Sequence, residues 1–209
     1  MSTNKVRLAG AVLAAAAAAA AVWPAADAQE LQGDALAAAL REGGYVIVMR
    51  HASSPREKPT TDAAPGNVDH ERQLDQSGLD SAAAMGQALE RLRIPIGDVL
   101  SSPTFRALQT ARQLHVGNAT AVTELGDGGQ GMRADTEGKR SAWLRAKVAE
   151  APPARTNRLL ITHLPNLAGA FGAAAEGMTD GESLIFKPGG GDPRVVARVK
   201  ISDWASLAR

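Results

Sequence analysis

The chain has 209 residues, with 23 Lys and Arg against 22 Asp and Glu, a formal charge of +1. A balance this even gives no electrostatic footprint for nucleic acid or a membrane surface, so attraction for an anion has to be local. There is no cysteine, which excludes a disulfide framework and thiolate zinc sites.

Lys5 and Arg7 precede an apolar stretch from Leu8 to Val22, and Ala26-Asp27-Ala28 follows. A charged start, an apolar middle and a small-residue end are the marks of an export leader. The apolar part is shorter than the 20 or so residues of a membrane span. Residues 1–28 are therefore expected to be a signal peptide and residues 29–209 one domain in the periplasm or outside the cell. No membrane insertion is expected for those 181 residues, whose charges balance at 21 to 21.

Strand and helix patterns then alternate. Asp34 is expected to cap a helix from Ala35 to Arg41 that Gly43-Gly44 ends. Tyr45 to Met49 is continuous and apolar, as a strand covered on both faces should be. Ala52 to Asp75 is long, polar and proline-bearing, a length more often functional than idle. Leu79 to Leu92 has helical spacing. Val99-Leu100 reads as a short strand and Thr104 to Leu114 as the helix after it, with Pro103 at its entry. Thr120 to Val122 is a further strand, Thr136 to Ala149 a helix, Leu159 to Thr162 a strand and Pro165 to Ala174 a helix. Ser183 to Phe186 and Val195 to Ile201 form a late hairpin. The alternation predicts an α/β fold, a three-layer α/β/α sandwich around a largely parallel central sheet.

In such sheets ligands bind beyond the carboxyl ends of strands. Arg50-His51, Ser101-Ser102 and His163 all fall at such ends. Arginine binds phosphate oxygens in pairs and keeps its charge, which makes Arg50 and Arg106 the phosphate-binding candidates. A neutral imidazole can attack phosphorus, and His51 is the candidate nucleophile. A protonated His163 would add a donor. The leaving group needs a proton. Glu124 is the first choice to supply it, Asp127 the second, and Glu57 or Asp69 of the long loop are alternatives. Ser101 and Ser102 have a plainer reading as caps of the next helix. Asn166 either stabilises the turn after His163 or reaches the phosphate. His70 and His115 read as surface residues.

Four blocks in order carry a resemblance: Val46-Ile47-Val48-Met49-Arg50-His51-Ala52, Gln73-Leu74-Asp75-Gln76-Ser77-Gly78, Ser101-Ser102-Pro103 with Arg106-Ala107 and Gln109-Thr110-Ala111, and Ile161-Thr162-His163. From about Tyr45 to Trp204 the chain resembles the histidine phosphatase superfamily, the phosphoglycerate-mutase-like fold. The resemblance implies a phosphohistidine on His51, a phosphate pocket of Arg50, Arg106 and His163, no cofactor, and a small phosphorylated substrate. Ala52 stands where that family usually has glycine, a small change expected to do little harm. Leu164 replaces the aspartate of the acid phosphatase and phytase branch, which places the chain among the smaller members. Competing readings are a phosphomutase, a non-catalytic phosphate-binding protein on the same fold, and a metallohydrolase with His51, His70 and His163 as ligands. No H-E-x-x-H spacing supports the last. The oligomeric state is left open.

Overall fold

A computed structural model describes residues 30–55, 71–127, 135, 138–189 and 193–207. The expected leader, Glu57, Asp69 and His70 lie outside the described residues. The elements run α1 (Gly33–Glu42), β1 (Val46–Arg50), α2 (Gln76–Arg91), β2 (Ile96–Ser101), α3 (Phe105–Leu114), β3 (Ala119–Ala121), α4 (Lys139–Ala149), β4 (Asn157–Thr162), α5 (Leu164–Phe171), β5 (Ser183–Lys187) and β6 (Arg194–Val199). Short 3-10 turns cover Thr123–Leu125, Gly172–Ala175 and Ile201–Ser206.

The six strands form one sheet in the order β3-β2-β4-β1-β5-β6. β1, β2, β3 and β4 are parallel to their neighbours within that set, while β5 and β6 run antiparallel. The sheet is thus mixed, with the late hairpin as its antiparallel edge. β1 and β4 lie side by side in its middle, and β4 is buried along its whole length. Continuous apolar sequence suits that place because both faces are covered.

Alternation along β1 feeds two cores. Ile47 and Met49 pack with Leu36 and Leu40 of α1, Met85 and Leu89 of α2, and Leu114 of α3. Val46 and Val48 pack on the opposite face with Leu144 and Val148 of α4 and Leu167 and Phe171 of α5. Helices therefore cover both faces, giving the three layers. Burying side chains of this size contributes roughly 1.5–3 kcal/mol each before the entropy of ordering is charged against it.

One cap differs from expectation. Gln32, not Asp34, holds the N-cap of α1, and Asp34 lies within its first turn, where its charge favours the helix dipole. Gly43 ends that helix with φ +79°, a left-handed backbone that glycine tolerates. Asp75 caps α2, its carboxylate accepting from the Gly78 amide at 2.7 Å. The same carboxylate accepts from Ser53 Oγ at 2.8 Å. A Cβ at Gly78 would lie 2.2 Å from the Ser53 carbonyl oxygen. Glycine there lets α2 press directly on the loop that follows His51.

Candidate active site

Because β1, β2 and β4 are parallel, their carboxyl ends share one edge of the sheet. Arg50 pairs in register with Thr162, and Ser101 with Ile161. Main-chain bonds continue one residue past the strands, from His51 N to Thr162 O at 3.0 Å and from Ser102 N to Ile161 O at 2.9 Å. The ladder itself therefore sets where His51, Ser102 and His163 stand. The His51 and His163 rings meet edge to face, their centroids 5.2 Å apart.

The tautomer of His51 follows from its partners. Its Nδ1 lies 2.8 Å from the Ala52 carbonyl oxygen. A carbonyl only accepts, so Nδ1 carries the proton and Nε2 keeps its lone pair. That lone pair accepts from Arg106 Nε at 3.2 Å. Burial, with the positive charges of Arg106, Arg50 and Arg72 adding to it, lowers the pKa of His51 from 6.5 to about 3. The ring is neutral near pH 7, as a nitrogen nucleophile has to be.

His163 is arranged differently. Arg106 Nη2 donates to its Nδ1 at 3.0 Å, which leaves the proton on Nε2 to donate to Ser102 Oγ at 2.8 Å. Ser102 Oγ in turn donates to Thr104 Oγ1 at 3.2 Å. Burial and the charge of Arg106 push His163 well below the usual histidine range. Contrary to expectation neither serine caps α3: Ser102 Oγ accepts from the amide of Thr104, the residue before the helix, at 3.2 Å, and it orients His163. Ser101 Oγ donates instead to the Ser102 carbonyl at 3.0 Å.

Arg106 joins the two rings. It projects from the first turn of α3 and is 2% exposed, and its Nη2 is ion-paired with Asp127 Oδ2. Asp127 Oδ2 also stands 3.5 Å from His163 Nδ1. Glu124 is exposed on the 3-10 turn just before and makes no hydrogen bond to any described residue. The first choice of proton donor therefore sits outside the cluster and the second choice sits within it. The reason is local. Thr162 Oγ1 donates to Leu125 O at 2.8 Å and Asn166 Nδ2 donates to Gly126 O at 2.5 Å. These bonds fold the chain after β3 over the tips of β4 and α5, and the next residue, Asp127, turns its carboxylate inward. Asn166 is thus a holder of the Asp127 turn.

Arg50 approaches from the other side, Nη1 donating to the Met178 carbonyl at 3.1 Å and Nη2 paired with Asp180 at 2.6 Å. Its buried Nε has no hydrogen-bond partner among the described residues. Four residues that the sequence reading passed over also belong here. Arg72 donates to Pro55 O at 2.7 Å and Ser54 O at 2.9 Å, and its charge bears on both imidazoles. Glu71 accepts from the Phe105 amide at 2.6 Å, capping α3 where Thr104 makes no side-chain cap. Thr104 and Asp180 complete the set. Glu71 and Arg72 directly precede the Gln73 block, and only their place in that run marked them. His115 is exposed at the far end of α3, with a left-handed backbone.

The matching blocks now have physical roles. Thr110 Oγ1 accepts from the Ala52 amide at 3.1 Å, and Gln109 Oε1 accepts from the Leu74 amide at 2.8 Å. α3 thereby ties together the loop after β1 and the approach to α2. Ala52 is buried and is not among the residues with positive φ, so alanine fits where glycine is usual. Among the described residues no three His, Asp or Glu side chains are grouped to hold a metal ion.

Three arginines thus surround two neutral imidazoles at the parallel strand tips of an α/β protein. The chain belongs to the histidine phosphatase superfamily, branch 1, whose family model matches residues 46–172. Among solved structures it is similar to the protein histidine phosphatase SixA in complex with tungstate, at 22% identity and a TM-score of 0.56, over 76% of this chain and 98% of that one. It is also similar to a phosphoserine phosphatase variant from Entamoeba histolytica in complex with phosphoserine, at 12% identity and a TM-score of 0.53, over 75% of this chain and 97% of that one. These likenesses show the fold. No curated protein gave a significant match.

Proposed function

We propose that the protein is a metal-independent phosphatase that hydrolyses small phosphomonoesters through a phosphohistidine on His51. One observation carries the reading: the Nδ1–H of His51 is spent on the Ala52 carbonyl, so the Nε2 lone pair faces the Arg106 guanidinium where a phosphoryl group would be held. His51 Nε2 attacks phosphorus as the ester P–O bond breaks. Positive charge developing on the ring is shared through Nδ1–H with the Ala52 carbonyl. Arg50 and Arg106 hold the phosphoryl oxygens, and Arg72 adds charge beside them, which is where most of the rate enhancement in phosphoryl transfer arises. His163, neutral and with its one N–H on Ser102 rather than protonated as expected, joins them only if the arriving anion draws a proton onto Nδ1.

Asp127 is the proton carrier in this reading. Its carboxylate is paired with Arg106, the guanidinium that would also bind a substrate oxygen. An arriving phosphate dianion takes over Arg106, and a carboxylate that has lost its cation beside an anion gains a proton. Asp127 then gives that proton to the departing alkoxide. In the second half Asp127 takes a proton from water as the water oxygen attacks phosphorus and the P–N bond breaks. Phosphate leaves, and His51 regains its lone pair.

The leader reading supports an exported enzyme, with residues 1–28 removed. The N-terminal residue of protein recovered from an exporting host, read by mass spectrometry, tests that part.

The main test is release of phosphate from p-nitrophenyl phosphate with chelator present, for the protein and for His51→Ala, together with trapping of acid-labile phosphate on the protein. We expect turnover and trapped phosphate in the first. In the variant both should fall by at least about 10³-fold, as for loss of a covalent nucleophile. Undiminished turnover in His51→Ala would sink the mechanism. Phosphate binding without turnover would instead favour the non-catalytic reading.

A further inference from the structure

Arg50 is held through its two terminal nitrogens only, and the loop that holds it, residues 176–182, is braced by a buried carboxylate. We propose that Glu182 is the positioning residue that aims Arg50 at the phosphoryl group; this rests on the reading that Arg50 is a phosphate ligand.

Glu182 lies immediately before β5 and is 3% exposed. Its Oε2 accepts from the Thr179 amide at 2.7 Å and Thr179 Oγ1 at 3.0 Å. Arg198 of β6 donates to it through Nε at 2.6 Å and Nη2 at 3.3 Å. Arg198 Nη1 also donates to the Glu176 carbonyl at 2.8 Å. Both ends of the loop are therefore tied to one ion pair. Between them hang the two groups that grip Arg50, the Met178 carbonyl and the Asp180 carboxylate. The main chain is engaged too. Arg50 N donates to Glu182 O and Gly181 N donates to His51 O, both at 3.0 Å.

A buried carboxylate is retained only where its partners satisfy it, and removing it leaves those partners unpaired. Here the partners are the Thr179 amide and hydroxyl and the Arg198 guanidinium. Without the carboxylate the 176–182 loop loses its internal brace while the β1–β5 ladder stays. The expected consequence is a loose Arg50 beside an intact His51. This separates Glu182 from residues that only support the fold, because the fault should fall on anion binding and spare the nucleophile.

The experiment uses the whole domain, labelled with ¹⁵N. The Arg50 Nε–H resonance, identified by its loss in Arg50→Lys, is followed with and without inorganic phosphate. Steady-state kinetics are measured on the same proteins. In Glu182→Ala we expect that resonance to shift or broaden, and phosphate affinity and kcat/KM each to fall at least tenfold, while acid-labile phosphate is still trapped on His51. Glu182→Gln, which keeps an acceptor for Thr179, should recover most of the affinity. If Glu182→Ala does not fold, Glu182→Gln and Arg198→Met carry the same readouts at intermediate size. An unmoved Arg50 resonance with unchanged phosphate affinity in folded variants overturns the proposal. If the parent protein turns over no ester while the resonance still responds to Glu182, the phosphatase reading fails and the positioning role stands.

Discussion

The site is assembled from two kinds of region that are held in different ways. The parallel strand tips bring Arg50, His51, Ser102 and His163, and the main-chain ladder fixes their positions. The loops bring the carboxylates, Glu71, Asp127 and Asp180, outside the sheet ladder, and side-chain bonds join them to their partners in the site. Glu71 caps the helix that carries Arg106, Asp127 pairs with Arg106 itself, and Asp180 pairs with Arg50. In the proposed mechanism the tips supply the nucleophile and, with Arg106 of α3, the phosphate ligands. The loops would balance their charge and, at Asp127, supply an exchangeable proton.

That contrast is sharpest between Glu124 and Asp127, three residues apart. With an alkyl phosphate, Asp127→Asn should lower kcat by about 10²-fold, the usual worth of a positioned general acid. With p-nitrophenyl phosphate, whose leaving group needs little help from a proton, the loss should be much smaller. Glu124→Gln should leave both rates within twofold. Steady-state kinetics with the two esters decide it. The opposite pattern would return the proton to the exposed residue and break the distinction between cluster and rim.

The strand-tip half was legible in the sequence for a physical reason. Continuous apolar runs such as Tyr45 to Met49 and Leu159 to Thr162 have few places to go except a doubly covered sheet, and parallel strands end on a common edge. Arg50, His51 and His163 could be set together from that rule, and Arg106 from the helix that follows β2. The loop half was not legible. Which carboxylate turns inward after β3 depends on Thr162 and Asn166 gripping the Leu125 and Gly126 carbonyls, contacts across 37 and 40 residues of sequence. Glu71 and Asp180 likewise take their meaning from an amide and a guanidinium elsewhere in the chain. No local pattern announces such pairs.

A second test compares the two halves by their response to acid. His51 and His163 are buried and neutral, with pKa values lowered by burial and the surrounding arginines, His51 to about 3. The unfolded chain takes up protons on both below about pH 6.5. It therefore binds more protons than the folded protein, and stability falls as pH falls. For His51 the window runs from about 6.5 down to about 3, with a slope near 1.4 kcal/mol per pH unit per histidine. Urea unfolding at pH 4, 5 and 6 should show this slope, and His51→Ala should remove about half of it. A slope unchanged in that variant would mean that His51 is charged in the folded site, against the lone-pair geometry seen there.

The smallest effect is expected at Ala52, where the strand-tip half departs from the common pattern of its family. Its amide is held by Thr110 and its carbonyl by His51 Nδ1, both main-chain atoms that glycine would offer equally. Its backbone is not left-handed, so the methyl group costs nothing in strain. Ala52→Gly should therefore leave kcat/KM within about twofold while lowering stability by about 1 kcal/mol, through a freer unfolded chain and a lost buried methyl. If activity fell tenfold instead, the position of His51 would depend on packing around that methyl. The main-chain ladder would then be insufficient to place the nucleophile, and the two halves of the site would differ less than their bonding suggests.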